Sequence, residues 1–443
     1  MSQPLPAPVP ERRTPSRAAA VVLLALAGLV AVIPAFPAAA QEGSALPSPV
    51  ALSAPSLAPA AAASPATAPA ASATPTPTLA PLPERLEARV RAWRDAVRVP
   101  GLAVALRLPD GSTWTSVGGR VAPGGGNAWI TPSTPFAIAS ITKTFVAALA
   151  LQLRDEGVLS LDAPVRRWMP ELRRAGRITV RMLLAHRSGL ADYFWHPRYE
   201  QLVFGRPDHA WTVEEILALA AQRAPLFRPG AGYSYSNTNY VVLGRIIERA
   251  TGRPLAALLR ERFFEPLGLA SATFQGDEPV PDGAAQGWLR EDRVWRELGD
   301  GTAFRPNTSA ATVAWAAGAL LLSVEDLLRW EEALYGGEVL SPASLAEMLS
   351  FGKEGYGLGA RFQSLGGLAG FGHGGSLRGF VSAMYREPLS GVGVVGMTNR
   401  GSVDLNSLVS VLVAEVLIPE TLIAAAATPL PSASPALEGS PLP

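Results

Sequence analysis

Of the 38 basic residues in this chain only two are lysines, Lys143 and Lys353, and Lys143 stands three positions after Ser140 in "SITKTFVAAL". A serine hydroxyl is a weak nucleophile until a base takes its proton. An amine made neutral by burial can do this, whereas a guanidinium stays charged. The pattern "SITKTFVAALALQLRDEG" puts Phe145, Val146, Leu149 and Leu153 on one apolar face, with Gly157 suited to a C-terminus, so it predicts a helix with Ser140 and Lys143 on one side of its first turn. Backbone N–H groups at such a terminus point toward a developing oxyanion. The other lysine tests the spacing: "SFGK" sets Ser350 three residues before Lys353, but Gly352 lies inside the repeat and no apolar helical run follows. Spacing alone therefore does not identify a site; context separates the two copies.

Two further stretches carry suitable groups. In "PGAGYSYSNTNYVVLG" a turn holding Tyr235, Ser236 and Asn237 precedes a helix with Val241, Val242 and Ile246 on its apolar side. A tyrosine and an asparagine held there can shuttle a proton and recognise an amide. In "GFGHGGSLRGF" His373 is followed by Gly374 and Gly375 on a strand edge, where missing side chains admit a substrate backbone. Each stretch by itself reads equally as an ordinary turn or bulge; their joint occurrence is what counts.

The elements that must position these groups follow a clear order. "PERLEARVRAWRDAV" is helical in period, then "GLAVALRL", a "PDG" turn and "STWTSVGG" form a hairpin. Near the other end "FGHGGS", "FVSAMYRE" and "VGVVGMTN" read as three strands before a last apolar helix, "LNSLVSVLVAEVL". Helical segments lie between, including "WTVEEILALAAQ", "NYVVLGRIIERATG", "PLAALLRERFF" and "SVEDLLRWEEALYG". The expected fold is α+β: an antiparallel five-stranded sheet built from both ends, flanked by helices, with a mainly helical inserted region.

Composition narrows the function classes. At 443 residues and 48% hydrophobic content the chain can bury a large core, while a net charge of +1 without a basic block argues against nucleic acid as a partner. Cysteine is absent, which removes disulfides and thiolate chemistry, and His186, His196, His209 and His373 lack ligand-like spacing. No metal or other cofactor is called for. Arg12, Arg13 and Arg17 precede the apolar run "AAAVVLLALAGLVAVI", and "PAAAQE" offers Ala38 and Ala40 before a cut near Gln41. Residues 1–40 are thus expected to be a signal peptide and the protein to act outside the cytoplasm, in the envelope or secreted; an uncleaved membrane anchor is the alternative. Residues 41–83 and 426–443, rich in Ala, Pro, Ser and Thr, read as a disordered linker and tail around a folded domain at 84–425.

Taken together, "SITK", "YSN" and "HGG" resemble the three-motif signature of penicillin-recognising serine enzymes: class C β-lactamases, D-alanyl-D-alanine carboxypeptidases and their esterase and D-aminopeptidase relatives. The likeness runs through most of residues 84 to 418, including "LLAHRSGL", "EPLGL" and "GYGLGARF". It is nearest to the carboxypeptidase branch, where histidine opens the third motif; class C β-lactamases usually carry lysine there, and both groups usually have threonine where Gly374 stands. The resemblance implies a β-lactamase/transpeptidase-like fold and an acyl-enzyme on Ser140, with Lys143 and Tyr235 sharing the proton traffic. It also implies an oxyanion hole from the backbone N–H groups of Ser140 and Ser376, Asn237 orienting the substrate amide, His373 beside the substrate, and Arg361 binding a terminal carboxylate. Which of Lys143 and Tyr235 is the base stays open at this level. The implied substrates are peptidoglycan-type D-alanyl peptides, with β-lactams, esters or the peptides of a D-aminopeptidase as alternatives; a non-catalytic penicillin-binding module is a further reading, against which the presence of both Ser140 and Lys143 speaks. His186 in "LLAHRSGL" reads as a turn residue, and the aromatic cluster "DYFWHPRY" as a loop packed on the core.

Overall fold

The hairpin and the strands near the other end meet in one sheet. The structure, a computed structural model, describes residues 79–122, 128–291, 294–297 and 308–418. The expected signal segment, the tail and nearly all of the linker lie outside them. One unit spans Ala80–Ile423. It opens with helix α1 (Leu82–Val97) and the hairpin β1 (Gly101–Arg107) and β2 (Thr113–Gly119). Helices α2 (Thr142–Asp155), α3 (Asn237–Thr251) and α4 (Val324–Tyr335) belong to the inserted region, and β3 (Arg361–Leu365), β4 (Leu368–Leu377), β5 (Phe380–Arg386), β6 (Gly393–Thr398) and α5 (Leu405–Leu417) complete the chain.

The sheet is antiparallel, in the order β2-β1-β6-β5-β4-β3, with β1 pairing β6 through Val104 opposite Gly396. The five expected strands are all present, and β3 adds a sixth at the edge. Its sequence, "RFQSL", shows no alternation that buries one face, because both faces of this edge strand are largely exposed. Along β1 alternate residues serve opposite layers. Leu102, Val104 and Leu106 pack with Leu86 and Val90 of α1 and Leu408 and Leu412 of α5, while Ala103 and Ala105 join the larger core around α2. The two chain ends are clamped where Glu415 accepts from Arg85 Nε and Arg89 Nε, each at 2.8 Å.

Helix α2 is buried on nearly all sides, not on one face as its apolar spacing suggests: every residue from Thr142 to Leu151 is inaccessible. Phe145 stacks on Trp330 of α4 with centroids 3.6 Å apart, and Trp330 Nε1 donates to Thr144 Oγ1 at 2.9 Å. Ser140 falls just before the helix, in a 3₁₀ turn (Ala139–Ile141), and Ala139 has φ +49°. That left-handed residue costs on the order of 1–2 kcal/mol and turns the chain sharply between a short strand, Phe136–Ala137, and the helix.

Strand β4 is pressed onto this turn. A side chain at Gly375 would place its Cβ 2.2 Å from Ile138 O and 2.3 Å from Ser382 Oγ, whereas one at Gly374 would meet nothing nearer than Ser382 O at 3.7 Å. Ser382 Oγ of β5 donates to Ile138 O at 2.7 Å and ties the same turn. The two glycines therefore differ in kind. Gly375→Ala should lower the melting temperature sharply and cost the folded protein at least about 2 kcal/mol by overpacking, while Gly374→Ala should leave the melting temperature nearly unchanged in a thermal-unfolding scan.

Candidate active site

A cleft of about 410 Å³ opens where the start of α2, the turn before α3 and strand β4 converge. Ser140, Tyr235, Asn237, Arg361 and His373 line it, as do Gly374, Gly375 and Ser376. Every residue expected at the site from sequence therefore faces this cleft or, as with Lys143, lies beneath it.

Lys143 is fully buried. Its Nζ has three neighbours: Ser140 Oγ at 3.0 Å, Asn237 Oδ1 at 2.8 Å and Ala317 O at 2.7 Å. Burial is the main force pulling its pKa from 10.5 down to about 7; Asp192 opposes the shift and Arg361 adds to it. A neutral amine has two N–H groups and one lone pair. The amide oxygen of Asn237 and the carbonyl of Ala317 can only accept, so they take the two N–H groups and turn the lone pair to Ser140 Oγ.

Tyr235, partly open to the cleft, also hydrogen-bonds Ser140. Burial raises its pKa, only partly offset by the Ser140 hydrogen bond and by Arg361. At neutral pH the phenol keeps its proton while much of Lys143 has lost its own. Of the two groups, Lys143 is the one whose proton is more easily lost near neutrality.

Asn237 has partners inside the protein as well as a place on the cleft. Its Oδ1 holds Lys143 and its Nδ2 donates one N–H to Asp192 Oδ2 at 2.9 Å, which leaves the second N–H of the amide for a substrate. Asp192 was not singled out from sequence. The signal was local and ambiguous: it caps the 3₁₀ turn Tyr193–Trp195 by accepting from Phe194 N at 3.1 Å. The aromatic cluster that follows divides its labour. Tyr193 and Tyr199 pack into the core, but Phe194 and Trp195 line the cleft, Trp195 with 74% of its surface exposed.

His373 is buried and hydrogen-bonded at both ring nitrogens, Nδ1 to Gly374 O at 2.6 Å and Nε2 to Tyr356 Oη at 3.0 Å. Burial, then the nearby Lys143 charge, drives its pKa down to about 3, so it faces the cleft uncharged near neutrality. Arg361, at the start of β3, is exposed, with its guanidinium 5.7 Å from the centre of the Tyr235 ring and 5.8 Å from that of Tyr356.

His186 is a turn residue with φ +56°, and it anchors the motif that carries Tyr235. Its backbone oxygen accepts from Ser234 N at 3.1 Å, its Nδ1 from Ser236 N at 3.1 Å, and its ring lies 4.2 Å from that of Tyr235. The second Ser-Lys pair has no such setting. Ser350 and Lys353 are both exposed, and no hydrogen bond joins them among the described residues. Among those residues no cluster of three or more metal-ligating side chains occurs, and no helix is long and apolar enough to cross a membrane.

A serine and a protonated tyrosine on one cleft, above a buried lysine whose pKa is pulled down to about 7, make up a serine hydrolase site of the acyl-transfer kind. Residues 86–414 match the family described as Beta-lactamase, and the chain belongs to that family. Its relatives carry several activities in their names. Esterase EstB of Burkholderia gladioli is 33% identical over 52% of this chain and 64% of its own length. Penicillin-binding protein 4 of Amycolatopsis lactamdurans is 30% identical over 71% of this chain and 84% of its own length. A D-aminopeptidase of Brucella anthropi is 30% identical over 67% of this chain, but the match spans only 55% of that protein. Among solved structures, a D-amino acid amidase from Ochrobactrum anthropi SV3 superposes with a TM-score of 0.66 at 30% identity, covering 78% of this chain and 99% of the amidase. A D-stereospecific amidohydrolase from Streptomyces gives 0.64 at 30% identity, covering 74% and 98%. The α+β sheet of both chain ends is the fold of these β-lactamase/transpeptidase-type proteins.

The Lys143 environment sets the pH dependence. Below about pH 7 the lysine is an ammonium without a lone pair; above it the base is free. The acylation rate should therefore rise with pH through about 7 and then level off in a pH–rate profile. Lys143→Arg should reduce it by about 10²-fold or more at every pH, since a guanidinium cannot take the proton.

Proposed function

We propose that this protein is a serine hydrolase of small amides and peptides whose reacting residue is a D-amino acid. One observation carries the reaction type: Lys143 Nζ stands 3.0 Å from Ser140 Oγ, with Asn237 Oδ1 and Ala317 O placed to take both N–H groups of the neutral amine and leave its lone pair for the serine. The substrate class is supported by the amidase and amidohydrolase folds, each matched over nearly its whole length. An uncharged His373 and a missing side chain at Gly374 suit an amide better than a β-lactam held by its carboxylate.

In the proposed cycle Ser140 Oγ bonds to the substrate carbonyl carbon as its proton passes to Lys143 Nζ. Backbone N–H groups of Ser140 and Ser376 hold the oxyanion. Tyr235 gives its proton to the leaving amine and is reprotonated from Lys143, which is left neutral again. Water then attacks the acyl-serine, losing a proton to the Lys143–Tyr235 pair and releasing the acid and Ser140.

A second reading, a D-alanyl-D-alanine carboxypeptidase on peptidoglycan-type peptides, is favoured by Arg361. This exposed guanidinium at the cleft edge has the chemistry to hold a terminal carboxylate. Action outside the cytoplasm is part of the proposal and rests on the leader-like residues 1–40.

Labelling with a fluorescent penicillin, followed by mass spectrometry of the adduct, tests the nucleophile. Ser140→Ala should abolish the label and all hydrolysis, and Ser350→Ala should leave both intact; equal loss in a folded Ser350→Ala protein would reject the assignment. Turnover should be fastest on D-phenylalanine amide. Faster D-alanine release from D-alanyl-D-alanine peptides, lost in Arg361→Ala, would instead establish the carboxypeptidase reading. A preference for a chromogenic cephalosporin, or for an ester without a carboxylate, would assign the chain to the β-lactamase or esterase branch.

A further inference from the structure

Tyr356 lies in the "GYGLG" turn, 4% exposed, with its backbone bridged to Arg361. Its ring meets that of His186 edge-on at 4.7 Å, and its Oη is 3.0 Å from His373 Nε2. On the other side of the same imidazole, Nδ1 is 2.6 Å from Gly374 O. A neutral imidazole has a single N–H, and a carbonyl oxygen can only accept. That N–H must therefore sit on Nδ1, which leaves a lone pair on Nε2 and makes Tyr356 its donor.

We propose that Tyr356 is a positioning residue for acyl transfer: its hydroxyl anchors the Nε2 end of His373, so that the ring's Nδ1–H stays on the Gly374 carbonyl, on the strand edge beside Ser376. The need for such a clamp is visible in the sheet. Strand β3 pairs with β4 only as far as Gly372, so from His373 onward that edge has no strand neighbour. In a strand the N–H and C=O groups of alternate residues face the same edge, and Gly374 therefore shares an edge with Ser376, whose N–H is assigned to the oxyanion. Gly374 has no side chain to restrain it, and even an added Cβ would find only Ser382 O, at 3.7 Å. The imidazole supplies the restraint that side-chain packing does not.

The surroundings oppose a change of state at His373. Lys143 faces it from α2, and Arg361 from the start of β3, and both disfavour a second proton. Tyr235 presents a ring 6.3 Å away from the turn before α3. Gly374 O selects the Nδ1–H form and Tyr356 secures the other end of the ring, so without the hydroxyl the imidazole has one tether in place of two, can turn away from Gly374 O, and its proton can then move between ring nitrogens.

Tyr356→Phe keeps the ring and removes the donor. Nitrogen-15 NMR of the histidine side chains, with His373 identified by its loss in His373→Asn, should show the Nδ1–H tautomer in the native protein from pH 6 to 9 and a tautomer mixture in Tyr356→Phe. The kinetic arm rests on the hydrolase reading above; the NMR arm does not. On D-phenylalanine amide, kcat should fall about 10-fold with KM nearly constant. His373→Asn offers a side-chain N–H to Gly374 O with no tautomer to choose, so adding Tyr356→Phe to it should change kcat by less than about 2-fold. An Nε2–H tautomer in the native protein would overturn the proposal, and that measurement stands even if the variant folds poorly. So would a folded Tyr356→Phe protein with an unchanged tautomer, or a kcat loss equally large in the His373→Asn background.

Discussion

A lysine amine buried beneath the floor of the cleft, where it gives up its proton near neutrality, is the constraint on which the rest depends. Burial depresses its pKa to about 7, and the depression would vanish if a carboxylate lay directly against Nζ, because an ion pair would hold the proton. The nearest carboxylate, Asp192, is kept one residue away: its oxygen takes the Asn237 amide N–H, and the other end of that amide meets Lys143. The asparagine passes on orientation without passing on a full negative charge. The arrangement lowers stability. The unfolded chain binds the lysine proton up to pH 10.5 and the folded one only to about 7, so the penalty is absent above 10.5, grows as pH falls between the two, and is constant below.

The architecture can be read as the means of burying one amine while leaving one hydroxyl in reach. Helix α2 passes through the centre of the larger core with its whole first turn inaccessible, and only the kink at Ala139 brings Ser140 back to the surface of the cleft. Close packing at that kink demands Gly375 on the neighbouring strand. A second glycine, Gly359 of the "GYGLG" turn, does the same farther along the helix, where an added Cβ would lie 2.4 Å from the Ala147 Cβ. Both allow backbone to approach α2 where a side chain would hold it off. The clamp between α1 and α5 fixes the opposite layer, so that the sheet carrying His373 and Ser376 is supported from behind.

The legible parts of this protein were those whose chemistry or period is local. Ser140 and Lys143 lie within one turn, Tyr235 and Asn237 within three residues, and His373 beside two glycines, so short motifs announce them. Five strands and the terminal helices follow from alternation and helical period. The partners that tune the site are remote in sequence and ordinary in type. Asp192 sits 45 residues from Asn237, and Tyr356 sits 17 from His373. Nothing in "DYFW" distinguishes a turn-capping aspartate from one that orients an amide. The edge strand β3 escaped notice because a strand exposed on both faces has no periodic signature. Ser140 falls in a 3₁₀ turn and not in the first turn of the helix for a related reason: the positive φ at Ala139 is imposed by packing, not by the residue type.

The same contacts bear on what the cleft accepts. Both nitrogens of His373 are engaged, the Asn237 amide keeps one N–H beyond those given to the protein, and Gly374 offers no side chain. These three line the cleft with few free side-chain donors, and beside them stand backbone on the β4 edge, the aromatic surfaces of Phe194 and Trp195, and the guanidinium of Arg361. Such a lining discriminates by shape and stacking at one end and by charge at the other. Arg361 also faces Tyr235, and its positive charge lowers the tyrosine and lysine pKa values together. A substrate carboxylate drawn to Arg361 would neutralise that influence at the moment of binding and let the lysine hold its proton more tightly. An uncharged amide leaves it in place, and on electrostatic grounds alone the neutral substrate is the better match to a base that must start without its proton.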